Sequence, residues 1–255
     1  MATALVTGGT SGIGAAFAHA LARRGDGLVL VARNPDRLTE TAADLTQRYA
    51  VEVETLAADL SRPADVERVA TRLRDGDRPV DLLVNNAGFG VRARLADADL
   101  TPHDYAIDVM IRAVLHLGGV AARTMRERGR GAILNVSSTA SFATLGNYSA
   151  IKSWVKVYSE SLAVELAGSG VTVTALCPGW VRTEFHGRAG IRSSAIPEAL
   201  WLDADDLVRQ ALDDLAAGKV VSIPSARYKV LAFLLQRLPR RTVRAVSAKI
   251  NSSRH

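Results

Sequence analysis

Short aliphatic runs alternate with longer stretches of helical period from residue 4 to about residue 223. The strand candidates are Ala4–Thr7, Leu28–Val31, Val51–Ala57, Leu82–Val84, Ala132–Val136, Val171–Leu176 and Val220–Ile223. Helical periodicity covers 12–24, 36–48, 64–74, 102–127, 148–168 and 204–217 between them. Runs with so little polar alternation predict strands buried on both faces, and their alternation with helices predicts a parallel sheet between two helical layers. Right-handed crossovers make that a doubly wound α/β sheet. No repeat or linker interrupts the rhythm. One domain is expected over residues 1–225, with a substrate loop at 182–202, where the period is lost, and a basic amphipathic extension at 226–255.

Composition narrows the classes. Of 255 residues, 48% are hydrophobic and 23% charged, which is ordinary for a globular chain. The single cysteine, Cys177, excludes an intrachain disulfide and reads as a small buried hydrophobe. No apolar run approaches the ~20 residues of a membrane-spanning helix, and no basic-then-apolar leader opens the chain. The expected compartment is the cytoplasm. The net charge is +6, but residues 219–255 hold nine Lys/Arg and no Asp/Glu, leaving −3 on residues 1–218. A body without a basic stripe argues against a nucleic-acid partner.

The charged tail is also apolar. Leu231, Leu234, Leu235 and Leu238 fall on one helical face before Pro239. Val243, Val246 and Ile250 then recur at helical spacing among Arg240, Arg241, Arg244 and Lys249. Either this segment packs over the substrate cleft or a partner subunit, or it contacts an anionic membrane surface or docks an acidic acyl carrier or coenzyme A substrate.

Candidate chemistry begins after the first strand, at Thr7-Gly8-Gly9-Thr10-Ser11-Gly12-Ile13-Gly14, with a helix following. Glycines allow a tight turn and close approach, and the helix N-terminus presents N–H groups to a pyrophosphate. The second strand ends Val31-Ala32-Arg33-Asn34, without the acid that would bind a ribose 2′-OH. Arg33 there suits a 2′-phosphate, so NADP(H) is the expected cofactor. The five histidines lack metal-site spacing, so no metal is expected.

Further motifs follow in order: Asp59-Leu60, Asn85-Asn86-Ala87-Gly88, Ser137-Ser138, Tyr148-x-x-x-Lys152 and Pro178-Gly179-x-Val181-x-Thr183. With the glycine turn, this set resembles the short-chain dehydrogenase/reductase (SDR) family in its compact form, over most of residues 3–223. The resemblance implies a Rossmann-type, mostly parallel seven-stranded sheet. It implies that Gly8, Thr10, Ser11, Gly12, Ile13 and Gly14 hold the pyrophosphate end and that Asp59 and Leu60 face the adenine. Asn86, Ala87 and Gly88 would line the cleft, with Pro178, Gly179, Val181 and Thr183 by the nicotinamide. A homodimer or homotetramer through the two long helices is also implied.

A phenol is a poor acid–base catalyst near neutrality, and a cation beside it favours the phenolate. Tyr148 and Lys152 are i and i+4 on one helical face, with Lys152 also placed for the cofactor ribose, and Ser138 would orient the substrate oxygen. Two departures from the family stand out. Met110 occupies the position of an Asn that continues a proton relay, and the stretch from Ser138 to Tyr148 is about three residues short, which leaves Ser137 or Ser141 open as replacements. Trp180 and Trp201 flank the loop and with Phe185 and Ile191 hint at an apolar substrate, while His186 in the loop reads as a surface residue or a substrate contact.

The expected activity is NADP(H)-dependent reduction of an apolar ketone or 3-oxoacyl thioester, or oxidation of the alcohol. The alternatives are a cofactor-binding sensor or scaffold, and an epimerase or dehydratase of the same fold.

Overall fold

A computed structural model describes residues 2–91, 93–182 and 197–252, side chains at 246 and 249–252 excepted. Seven strands form one sheet: β1 (Thr3–Thr7), β2 (Gly27–Ala32), β3 (Val53–Ala57), β4 (Leu82–Asn85), β5 (Gly131–Val136), β6 (Val171–Leu176) and β9 (Val221–Ser222). Two short strands, β7 (Trp180–Val181) and β8 (Trp201–Leu202), pair apart from it. The sheet order is β3-β2-β1-β4-β5-β6-β9, and every neighbouring pair is parallel. The sheet is Rossmann-type. Its two cores are the two faces that the unalternating runs require: Leu5, Val29, Leu83 and Ile133 point to one, Val6, Leu28, Val84 and Leu134 to the other.

The first core is closed by α3 (Pro63–Arg74), by the helix 101–128 and by α6 (Gly146–Glu165). The second is closed by α1 (Gly12–Arg23), α2 (Pro35–Tyr49) and α7 (Ala204–Ala216). Starts follow local chemistry. The Asn34 side chain accepts from Arg37 N ahead of Pro35, and Asp203 accepts from the Asp205 and Asp206 amides at the head of α7.

Helix 101–128 is α4 (Thr101–Ile107), one π-turn (Asp108–Arg112) and α5 (Ala113–Arg128). It corrects the expectation about apolar runs, because it is long and apolar enough to cross a membrane by length and composition. Half of its most apolar stretch is buried within the fold, and Leu117, Ala121 and Met125 face the sheet, so it is a core helix. A buried polar chain ties α6 to the sheet. Asn85 Nδ2 donates to Asn135 Oδ1 at 2.9 Å, Asn135 Nδ2 to Ser159 Oγ at 3.0 Å, and Ser159 Oγ to Val155 O at 2.7 Å. Leaving one of these groups unpaired would cost about 1–3 kcal/mol.

The extension is part of the fold. It forms α8 (Ala226–Arg237) and α9 (Arg240–Ser252), broken at Pro239 as the sequence predicts. The face differs from expectation. Tyr228 and Ala232 are buried and Leu235 half-buried, while Leu231, Leu234 and Leu238 point outward. Val243 is buried, and the Val246 and Ile250 side chains lie outside the described set.

Candidate active site

The crossovers from β1 and β4 run to opposite sides of the sheet, which opens a crevice past their carboxyl ends. Two loops meet there. Thr7 Oγ1 accepts from the amides of Asn86 and Ala87, both at 3.0 Å. Asn86 Nδ2 returns two bonds, to Thr7 O at 2.9 Å and Gly8 O at 3.3 Å. Gly8 and Gly12 take φ of +67° and +57°, a region that favours glycine. At Gly14 a Cβ would run into Gly8 O and the Asn86 amide, so this close approach needs glycine.

The first intrahelical bond of α1 is Ala15 N to Ser11 O, 3.2 Å, so the amides ahead of it face outward at the positive end of the helix. Thr10, Ser11 and Ile13 are half-buried along this turn. The cradle fits a dinucleotide pyrophosphate.

Arg33 stands exposed at the end of the crevice beyond β2. Its Nη1 donates to the Tyr105 hydroxyl of α4 at 2.7 Å, and the Tyr105 ring lies 5.2 Å from that of Phe89, centre to centre. Sequence reasoning missed Tyr105, because the pair is 72 residues apart. A guanidinium has five N–H donors and Tyr105 engages one edge, so the geometry fits a phosphate on the other. Asp59 is spent locally: its Oδ1 accepts from Ser61 N at 3.0 Å and Ser61 Oγ at 2.8 Å. The Leu60 side chain is buried in the core with Val66 and Val31.

The catalytic candidates sit past β5. Ser138 opens a 3₁₀ turn (Thr139–Phe142), accepts from Ala140 N at 3.1 Å and hydrogen-bonds the Tyr148 phenol. The structure thus chooses among the serines. Ser137 is 1% exposed and donates to Lys152 O at 2.7 Å, while the buried Ser141 hydroxyl lies toward the Cys177 thiol. Cys177 is fully buried, as expected of a structural cysteine, and burial pushes its thiol up to about 11.

Lys152 lies one turn beyond Tyr148, 5% exposed, with Nζ 5.7 Å from the centre of the phenol ring. Nζ donates to Val136 O at 2.8 Å. The electrostatics depart from the expectation that the ammonium lowers the phenol. Burial pushes Tyr148 up to about 12 against the bond from Ser138, and burial pushes Lys152 down to about 8. Desolvation prevails at both groups: Lys152 is buried, and Tyr148 is half-buried with its ring against the first core. The phenol therefore holds its proton at neutral pH.

Met110 occupies the π-turn, fully buried, with Sδ 3.1 Å from where a Gly88 Cβ would be; Lys152 Nζ is 3.5 Å from that point. A thioether offers no amide for a relay. The Val136 carbonyl accepts a hydrogen bond from the lysine nitrogen there.

The segment carrying Tyr148 is held from outside. Asn147 Nδ2 donates to His103 Nδ1 at 3.0 Å, and the opposite ring nitrogen meets Arg94 O at 3.0 Å, which fits the Nε2–H tautomer. Leu145 N donates to Ser149 Oγ at 3.0 Å and Thr144 N to Ser247 Oγ of α9 at 3.2 Å.

Past β6, Pro178 O accepts from Thr139 N at 2.9 Å, joining this end of the sheet to the Ser138 turn. Val181 turns its side chain into the core with Leu207 and Leu212. Thr183, Phe185, His186 and Ile191 lie outside the described residues.

A family model described as short chain dehydrogenase matches residues 2–192. This chain belongs to the short-chain dehydrogenase/reductase family. As an SDR oxidoreductase it is similar to a short-chain dehydrogenase from Sphingobium yanoikuyae in complex with NADPH, 37% identical with a TM-score of 0.84 over 94% of this chain and 97% of that one. It is also similar to the bulky-bulky ketone specific alcohol dehydrogenase from Comamonas testosteroni, 31% identical, TM-score 0.79, over 94% and 96%. Sulfoacetaldehyde reductase 2 from Chromohalobacter salexigens is 35% identical over 83% of this chain and 85% of its own length.

In this SDR the described residues on either side of 183–196 are pinned by a residue of the extension. The ladder of β7 and β8 sets Trp180 opposite Trp201. The Tyr228 hydroxyl accepts from Trp180 N at 3.0 Å and donates to Leu200 O at 2.7 Å, while its ring fills the space over Gly179. Tyr228→Phe loses both bonds, and an increase of about threefold to tenfold in KM for the organic substrate is expected, with KM for the nucleotide unchanged. Steady-state kinetics with each substrate varied in turn checks it.

Proposed function

We propose that this SDR reduces a ketone carried on an apolar body, an acyl-thioester ketone included, with NADP(H) as cofactor and Tyr148 as proton donor. The observation that carries the reading is the Ser138–Tyr148 hydrogen bond beside a buried Lys152, two strands across the sheet from a cradle shaped for a pyrophosphate. Bound NADPH supplies the hydride. As negative charge grows on the carbonyl oxygen, the Tyr148 hydroxyl delivers its proton, and Ser138 holds that oxygen in line.

The phenolate left behind is stabilised by the Lys152 ammonium, whose burial leaves its charge weakly screened. Gly8, Gly12, Gly14 and the first amides of α1 take the pyrophosphate, and Arg33, braced by Tyr105, takes the 2′-phosphate.

The test is NADPH consumption across carbonyl compounds, with NADH in parallel. Turnover of bulky apolar ketones, with NADP⁺ released in step with alcohol, supports the reading. Tight NADPH binding without turnover of any carbonyl would favour a sensor, for which Met110 at the relay position is the supporting observation. Arg33→Ala is expected to raise KM for NADPH by roughly 10- to 100-fold, since hydrogen bonds to charged groups are worth about 1.5–3 kcal/mol. Tyr105→Phe should raise it about fivefold through the lost brace. Neither should alter KM for NADH, and equal changes with both nucleotides would reject the 2′-phosphate assignment.

A further inference from the structure

The outward face of α8 is apolar without a packing reason. Val230, Leu231, Phe233, Leu234 and Leu238 are between 38% and 59% exposed, while Tyr228 and Ala232 on the opposite face satisfy the core. Arg227 and Arg237 share the outward side, and the Arg237 guanidinium lies 5.0 Å from the centre of the Phe233 ring. Arg240, Arg241 and Arg244 continue the positive rim on α9, all exposed. Residues 219–255 contain no acidic side chain. An isolated exposed leucine means nothing, but a contiguous strip of five large apolar side chains within nine residues marks a contact surface.

We infer that the α8–α9 face docks on an anionic lipid surface. Apolar side chains interleaved with arginines and free of acids match the boundary between acyl chains and anionic headgroups: the leucines and Phe233 enter, and the guanidinium groups stay at headgroup level. A second copy of the chain fits worse. A twofold contact would bring Arg227, Arg237 and the α9 arginines of both copies together with no carboxylate of the segment to pair them.

The position of the face gives docking a purpose. α8 pins the described residues on either side of 183–196 through Tyr228, and α9 holds Thr144 in the segment leading to Tyr148. Docking at this face would therefore bear on both segments, at a lipid surface in which an apolar ketone dissolves. Binding to vesicles is read without turnover, so its failure leaves the ketone-reductase reading untouched.

The test is co-sedimentation of the full chain with vesicles of phosphatidylcholine alone and of equal parts phosphatidylcholine and phosphatidylglycerol. Wild type should pellet with the anionic vesicles and stay in solution with the neutral ones. Phe233→Glu with Leu234→Glu should lower the partition coefficient at least about tenfold, with thermal midpoint and NADPH consumption unchanged. Arg240→Gln, Arg241→Gln and Arg244→Gln together should lower it by about tenfold or more for anionic vesicles and spare the apolar strip. The charge variant keeps the proposal testable should the double variant unfold. Absence of pelleting, or equal pelleting of wild type and variants, overturns the inference. So does a dimer in sedimentation velocity that Leu234→Glu dissociates, because a second copy then covers the strip.

Discussion

Tyr148→Phe is expected to lower kcat for ketone reduction by about 10²- to 10⁴-fold, the range a positioned general acid contributes, with little change in NADPH affinity. Only one oxygen is removed. The ring remains packed against the core that α6 closes, so the fold should hold. The lost group is the one hydroxyl that Ser138 orients and that burial keeps protonated. The decisive measurement is single-turnover NADPH consumption with a ketone that wild type reduces, alongside nucleotide binding by fluorescence. Retention of full turnover would move the proton donor elsewhere.

Lys152→Met is expected to lower kcat by about 10²- to 10³-fold, since it removes a preorganised charge from where the phenolate forms. The pH dependence is the sharper readout. With its ammonium held near 8, Lys152 is charged below that pH and neutral above it. Reduction by wild type should therefore be fastest below about 8 and fall as pH rises through it, while the Met variant should show a low, flat profile.

Stability moves in the opposite sense. The folded-state value lies below the ordinary lysine value of 10.5. Between about 8 and 10.5 the unfolded chain thus binds more protons, and the lysine's contribution to unfolding free energy rises with pH across that window. Tyr148 adds a loss above the ordinary phenol value of 10.0, because its folded-state value is raised to about 12. Lys152→Met should abolish the first change and leave the second, and denaturant unfolding from neutral to alkaline pH measures both.

Much of the frame was legible in the chain. The seven sheet strands expected from aliphatic runs all occur, with ends displaced by no more than two residues. A strand buried on both faces writes its own signature locally. The glycine turn was equally legible, since φ values of +67° and +57° at Gly8 and Gly12 are demands that only certain residues meet. Tyr148 and Lys152 shared a face because helical period puts i and i+4 together.

Other features were not local and left no signal. Arg33 meets Tyr105 72 residues away, Asn147 meets His103 44 away, and Thr144 meets Ser247 103 away. A two-residue ladder such as β7–β8 is too short to carry a period. The inward face of α8 escaped the periodicity for a related reason: apolar residues surround much of that helix, so only docking decides which face turns inward, and Tyr228 and Ala232 prevail over Leu231 and Leu234.

The chain by itself determined the alternation of strands and helices, the phosphate cradle at the first turn and the spacing of the phenol and the ammonium. Each follows from periodicity or backbone geometry within a few residues. Tertiary structure decided which of three serines reaches Tyr148, that Leu60 and Val181 belong to the cores, and that burial keeps the phenol protonated and weakens the lysine's hold on its charge. Desolvation depends on every element packed around a group, and no stretch of sequence contains that sum.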